Sequence, residues 1–194
     1  QLFYPDFTDT GDPNSWRSWL MVQNPADEAA NIQLELRDRA GVLLYAGGQT
    51  IPANGVATLR PRHLAGVEFA GSAVVTSDKP IAGTCEINRN NNEMCMSYNA
   101  IDHGSNQLFY PDFTDTGDPD SWRSWLMIQN PADQAAAISL ELRDRAGGLL
   151  YAGSQTIPAN GVATIRPRHL SGGEFAGSAV VTSDRPIAGS CEIN

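Results

Sequence analysis

No run of about 18 apolar residues occurs in the sequence, so no stretch is suited to cross a membrane as a helix. Basic residues are scarce: 13 Lys and Arg stand against 22 Asp and Glu, a formal charge of −9. That argues against a nucleic-acid partner, which needs clustered Lys and Arg, and suits a self-repelling surface in an aqueous exterior. Cysteine is rare too, with Cys85, Cys95 and Cys191 too few for a disulfide scaffold. There is no Asn-x-Ser/Thr sequon, which excludes conventional N-glycans. Nowhere does a 3.6-residue apolar period persist, which excludes a helical architecture. No G-x-S-x-G elbow surrounds any serine, and the acidic loops do not have EF-hand spacing. No signal peptide is visible; a chain opening at Gln1 on a strand-like segment reads as a processed product or an excerpt.

What is present is a module written twice. Gln107–Pro119, QLFYPDFTDTGDP, returns Gln1–Pro13 letter for letter, and every residue n from 1 to 88 aligns with n + 106. Only 12 of these 88 pairs differ: 14, 22, 28, 31, 33, 42, 48, 59, 65, 67, 79 and 84. An 18-residue connector, Arg89–Asn106, lies between the copies. A repeat of this length implies two domains, 1–106 and 107–194, each able to bury a modest core.

Within each copy, short apolar alternations separated by turn signals predict an all-β sandwich. Leu2–Phe7 reads as an aromatic strand, with Pro5 marking an edge position. Trp16–Gln23 follows, ended by Asn24-Pro25. Ile32, Leu34 and Leu36 alternate with Gln33, Glu35 and Arg37, a half-buried strand. Turns at Asp38–Gly41 and Pro52–Gly55 bound strands at Val42–Ala46 and Val56–Arg60. Phe69–Thr76 is rich in Gly and Ala, so a neighbouring backbone can approach it closely. Ile81–Ile87 makes the seventh strand. The connector adds an eighth at 93–101, where Met94, Met96 and Tyr98 alternate with Cys95, Ser97 and Asn99. Each domain is thus expected to carry about seven to eight antiparallel strands.

A resemblance rests on these motifs. Trp-Leu-Met-Val-Gln-Asn-Pro, the Leu-Arg-Asp-Arg-Ala-Gly and Ile-Pro-Ala-Asn-Gly turns, Gly-Ser-Ala-Val-Val-Thr-Ser-Asp-Lys-Pro-Ile-Ala-Gly and Ser-Tyr-Asn-Ala together resemble the Ig-like β-sandwich repeats of bacterial secreted and cell-surface proteins. The resemblance spans both copies and implies two tandem Ig-like domains in an extracellular or cell-surface location. It brings no catalytic residues.

Candidate sites are few. Asp6, Asp9 and Asp12, repeated as Asp112, Asp115 and Asp118 with Asp120 added, could supply oxygens to calcium; Asp, Gly and Pro are also ordinary turn residues. Cys85 and Cys95 lie symmetrically about Asn90, so a hairpin centred there places them opposite each other for a disulfide; the alternative is buried thiols. Cys191 repeats Cys85 but has no counterpart of Cys95 to meet. His63 and His169 lie in basic loops that read as solvated or interface surface. Trp19 and Trp125 fall on the opposite face from Trp16, Leu20 and Val22, and serve either as protein contacts or as a sugar-stacking platform.

No constellation nominates an enzyme. The expectation is a structural subunit of an extracellular filament or surface fibre, joined head to tail to copies of itself. The N-terminal strand, through Leu2, Phe3, Tyr4 and Phe7, is expected to meet the tail of the next molecule, with Trp19, Trp125 and Cys191 at the interface. A polar contact that does not close on itself gives an open polymer. The alternative is a carbohydrate-binding or adhesive module, with glycans as partners and calcium as an aid.

Overall fold

The computed structural model describes residues 1–89, 91, 93–118 and 121–193. The chain divides into two compact units, Gln1–His103 and Gly104–Asn194. Among the described residues it is all-β apart from two five-residue helices.

In unit 1, β1 (Leu2–Asp9), β6 (Phe69–Ser77), β3 (Ala30–Asp38) and β4 (Leu43–Ile51) form one antiparallel sheet in the order β1-β6-β3-β4. The second sheet runs β5-β2-β7-β8, from β5 (Val56–Leu59), β2 (Arg17–Gln23), β7 (Ala82–Arg89) and β8 (Met94–Asn99). Strand β3 shows how pattern becomes packing: alternate residues Ala30, Ile32, Leu34 and Leu36 are buried. Ile32, Leu34 and Leu36 meet Leu20 and Val22 of the opposite sheet in a single core. Alternation of period two sends one face of each sheet inward, and two such faces bury each other. At Gly71 an added Cβ would run into the backbone carbonyl of Arg37. The small residues of β6 do permit a close approach there.

Pro5 stands in an edge strand, as its missing N–H requires. That strand is not free, however. β1 pairs antiparallel with β6, Leu2 facing Val75 and Tyr4 facing Ala73. Leu2, Phe3, Tyr4 and Phe7 are buried within unit 1, and Phe7 stacks on Phe69 at 5.0 Å. An aromatic strand beside an apolar sheet edge of its own domain finds its partner at high local concentration. The expectation that these four residues reach a neighbouring molecule is therefore corrected.

A short helix, α1 (Pro61–Ala65), interrupts the basic loop. Pro61 opens it with its φ already set, and Gly66 ends it at φ 72° in the left-handed region. Five residues are too few to show a period, which is why the sequence pattern does not reveal it.

Unit 2 repeats the arrangement with β9 (Ser105–Asp115), β10 (Ser124–Gln129), β11 (Ala136–Asp144), β12 (Leu149–Ile157), β13 (Val162–Ile165), α2 (Pro167–Ser171) and β14 (Phe175–Ile193). Strand β14 does the work of both β6 and β7. Its first half pairs with β9 and β11, and its second half with β10. It runs unbroken because β9 begins at Ser105, ahead of the aligned repeat, and Ser105 pairs with Ile187 across the corner.

Candidate functional site

Strand β8 is the only element of unit 1 that has no counterpart in unit 2 among the described residues. It pairs with β7 from Thr84↔Asn99 to Arg89↔Met94. Met96, Tyr98 and Ala100 pack against the core, while Cys95, Ser97 and Asn99 are exposed. Past its end, the chain crosses to the other sheet: Ala100 N–H donates to Gly83 O, and Ile101 exchanges two backbone hydrogen bonds with Phe3 at 2.7 and 2.9 Å. Tyr98 Oη–H donates to the Asp6 carbonyl at 3.1 Å. This segment therefore closes the gap between β7 and β1.

In unit 2 the segment that would align with β8 falls beyond Asn194. Among the described residues, no strand pairs with the outer side of Ala188–Ile193. The equivalents of residues that β8 covers come to the surface. Phe3 is 6% exposed but Phe109 is 66%; Ile87 is 3% exposed but Ile193 is 43%. Pro5 and Asp6 are buried, whereas Pro111 and Asp112 are exposed. Cys191 is half-buried where Cys85 is fully so. Even so, burial pushes the Cys191 thiol up to about 12, with the nearby Glu192 charge adding to the shift.

The hairpin register corrects the disulfide expectation. Cys85 lies across from Tyr98 and Cys95 across from Asn88. The turn is centred beyond Asn90, which itself lies outside the described residues, as does 92. Shifting the centre slides the register by three, an odd number, which sends the two thiols to opposite faces. Cys85 is buried, Cys95 is exposed, and no disulfide joins them.

The acidic loops do not gather into a calcium cage. Among the described residues, no three His, Cys, Asp or Glu side chains come together to hold a metal. Arginines distant in sequence take up the carboxylates instead. Asp6 pairs with Arg39 at 3.1 Å and Asp112 with Arg145 at 3.4 Å. Asp9, fully buried, accepts from Arg60 Nε at 3.0 Å and from Gly11 N–H at 3.1 Å. Asp115 repeats this with Arg166 at 2.7 Å and Gly117 N–H at 3.0 Å. The hydrogen bonds that Arg166 donates to Asp115 raise its pKa above the ordinary value. Asp12 accepts the Asn14 N–H at 2.9 Å, an ordinary turn bond. Asp118 sits in the matching loop, and Asp120 lies outside the described residues.

Two of these arginines, Arg60 and Arg166, also lie against the tryptophans, joined there by Arg17 and Arg123. Arg17 and Arg60 lie 5.5 and 5.2 Å from the Trp19 ring centroid, and Arg123 and Arg166 lie 5.7 and 5.3 Å from that of Trp125. Both rings are half-buried beside guanidinium groups, a cation–π arrangement. His63 and His169 are exposed on the short helices.

One structural residue escaped the sequence reading. Asn24 is completely buried, and its side-chain amide donates to the carbonyls of Glu28, Ile51 and Pro52 at 2.7, 3.2 and 3.0 Å. Asn130 makes the same three bonds in unit 2. The Asn-Pro pair after an apolar strand was the available signal, but it reads first as a strand ending.

No protein-family model and no curated protein matches the chain. Among solved structures it is similar to Anabaena sensory rhodopsin transducer, at 16% identity, covering 46% of this chain and 96% of that one, with a TM-score of 0.40. A likeness of that size bears on neither function nor partners.

Proposed function

We propose that the chain is a structural subunit of an extracellular filament or surface fibre, in which molecules join at the open edge of unit 2. One observation supports the reading: Phe109 and Ile193 are 66% and 43% exposed in unit 2, whereas Phe3 and Ile87, their equivalents in unit 1, are buried. Main-chain hydrogen bonding along such an edge, with Phe109 and Ile193 covered, provides affinity without a dedicated pocket. A contact between unlike surfaces propagates into an open polymer when its rotation does not close a ring. The acidic surface keeps unassembled molecules apart until an edge is matched.

Negative-stain microscopy and light scattering across a concentration series test this. The chain should form fibres. A Cys191→Asp, Ile193→Asp variant, which places charge on the inward side of the edge, should remain as single particles. A chain that stays monodisperse at every concentration would contradict the proposal.

A further inference from the structure

The geometry points to a second joint: the outer edges of β4 and β12 pair antiparallel with the same edges of further copies of this chain, holding fibres side by side. The inference rests on the assembly reading for the fibre, and on separate residues for the joint.

Both strands lie inside their modules, and the same edge is bare in both. Each is the end strand of its sheet, and among the described residues neither bonds on its outer side to a strand or a loop. The other edges that both units share are guarded. β1 and β9 carry Pro5 and Pro111 and an irregular register, and β5 and β13 run for only four residues. β4 and β12 run for nine residues each, with no proline and no charge. Leu43, Leu44, Leu149 and Leu150 open them, 38 to 52% exposed. From Tyr45 to Ile51 and from Tyr151 to Ile157 the register with the neighbouring strand is unbroken. Brevity, proline, charge and bulges are what blunt a natural edge, and these two stretches have none of them.

Charge decides what meets such an edge. The chain carries −9, so two copies repel over most of their surface. Yet Ala40–Leu59 and Ala146–Ile165 contain no Asp, Glu, Lys, Arg or His. These stretches build β4 and β5 in unit 1, and β12 and β13 in unit 2. The two edges share one side of each unit, where Leu59 lines a cleft with Tyr45, and Ile165 one with Tyr151. On the neighbouring strands Glu35 and Arg37 cancel in an ion pair at 2.8 Å, as do Glu141 and Arg143 at 2.7 Å. This side is where two acidic copies meet without repulsion. An antiparallel edge is also its own complement, because a half-turn sets its N–H and C=O groups opposite those of a copy. β4 and β12 differ only at Gly48 against Ser154, so either edge accepts either, and each chain offers two joints. One joint holds free chains with a Kd on the order of 1 mM. Repeated at every subunit of a fibre, such joints add.

The test compares the chain with an Ala46→Lys, Ala152→Lys variant, altered at two exposed positions on these edges. Two lysines make the chain less acidic, so general repulsion falls and any loss of contact reports the edge itself. Negative-stain microscopy should show fibres joined into ribbons for the chain and single fibres for the variant. Amide hydrogen exchange is followed in parallel on the Cys191→Asp, Ile193→Asp chain, whose ends are blocked. Raising it to about 1 mM should slow exchange at Tyr45–Thr50 and Tyr151–Thr156 by about twofold, and adding the lysines should remove the effect. Ribbons from the lysine variant, or exchange that ignores concentration, overturn the joint. Single fibres from the unaltered chain overturn it too and leave the filament reading standing. Slowed exchange, lost with the lysines, in a chain that never forms fibres would sink the filament reading alone. An unrelated uncharged peptide that protects the edge as well as the chain does at equal concentration would overturn the choice of a second copy as the occupant.

Discussion

Phe3 and Phe109 occupy the same place in the same module, yet one is covered and the other faces solvent. The sequence around them is identical from Gln1 to Pro13 and from Gln107 to Pro119. The difference therefore lies in what sits beside them: Ile101 bonds to Phe3, and in unit 2 no described residue does the same for Phe109. Ile87 and Ile193 teach the same lesson on the other sheet. One strand, supplied or withheld, changes the environment of both.

The largest expected effect comes from supplying that strand in cis. A variant carrying a second copy of residues 89–106 after Asn194 should fold it against β14 and bury Phe109 and Ile193. Each apolar side chain contributes about 1.5–3 kcal/mol on burial, partly offset by the cost of ordering the added residues. Calorimetry should show unit 2 melting higher, and light scattering should show assembly abolished, because the acceptor is filled.

Next in size is a control that should erase the contrast. Asn24→Ala and Asn130→Ala each remove a buried amide that donates to three carbonyls, so each should cost about 3 kcal/mol. Denaturant melts of the two variants should show equal losses, because neither asparagine touches the open edge. Arg60→Ala and Arg166→Ala should likewise match one another. Each strands a fully buried carboxylate, Asp9 or Asp115, at a cost of about 2–4 kcal/mol, less than for an entirely buried pair since the arginines are partly exposed.

Smaller effects separate the units where their sequences diverge. Lys79 bonds Glu28 in unit 1, whereas Arg185 bonds Gln134 in unit 2. Both the backbone N–H and the side chain of Asn31 donate to Asp78, lowering its pKa. A depressed folded pKa gives stability that is present above the unfolded value and lost as pH falls through the folded one. Acid titration of unfolding should thus show a contribution in unit 1 that fades below about pH 4, and Asn31→Ala should reduce it. The smallest effect is chemical: at neutral pH, iodoacetamide should modify exposed Cys95 first, because the Cys191 thiol is held so far from ionisation.

Much of this fold was legible in the chain itself. The alternation of Ile32, Leu34 and Leu36 marked one face of a half-buried strand, and Met94, Met96 and Tyr98, alternating with Cys95, Ser97 and Asn99, marked an eighth strand. What local patterns cannot convey is register and distant partnership. The centre of the β7–β8 turn was misplaced, and that alone moved Cys85 and Cys95 from one face to two. Asp6 and Asp9 meet arginines 33 and 51 residues away, so a cluster of carboxylates in one loop looked like a metal site. Likewise an aromatic strand at Leu2–Phe7 shows that it needs a partner, but not that the partner is β6 of its own unit.

Amide hydrogen exchange on the dispersed and the assembled chain tests the central claim most directly. On assembly, protection should appear at Gly189–Ile193 and at Leu108–Phe109, and Gly83–Ile87 should be slow to exchange in both states. Protection gained elsewhere, with the β14 edge still exchanging freely in the fibre, would contradict it.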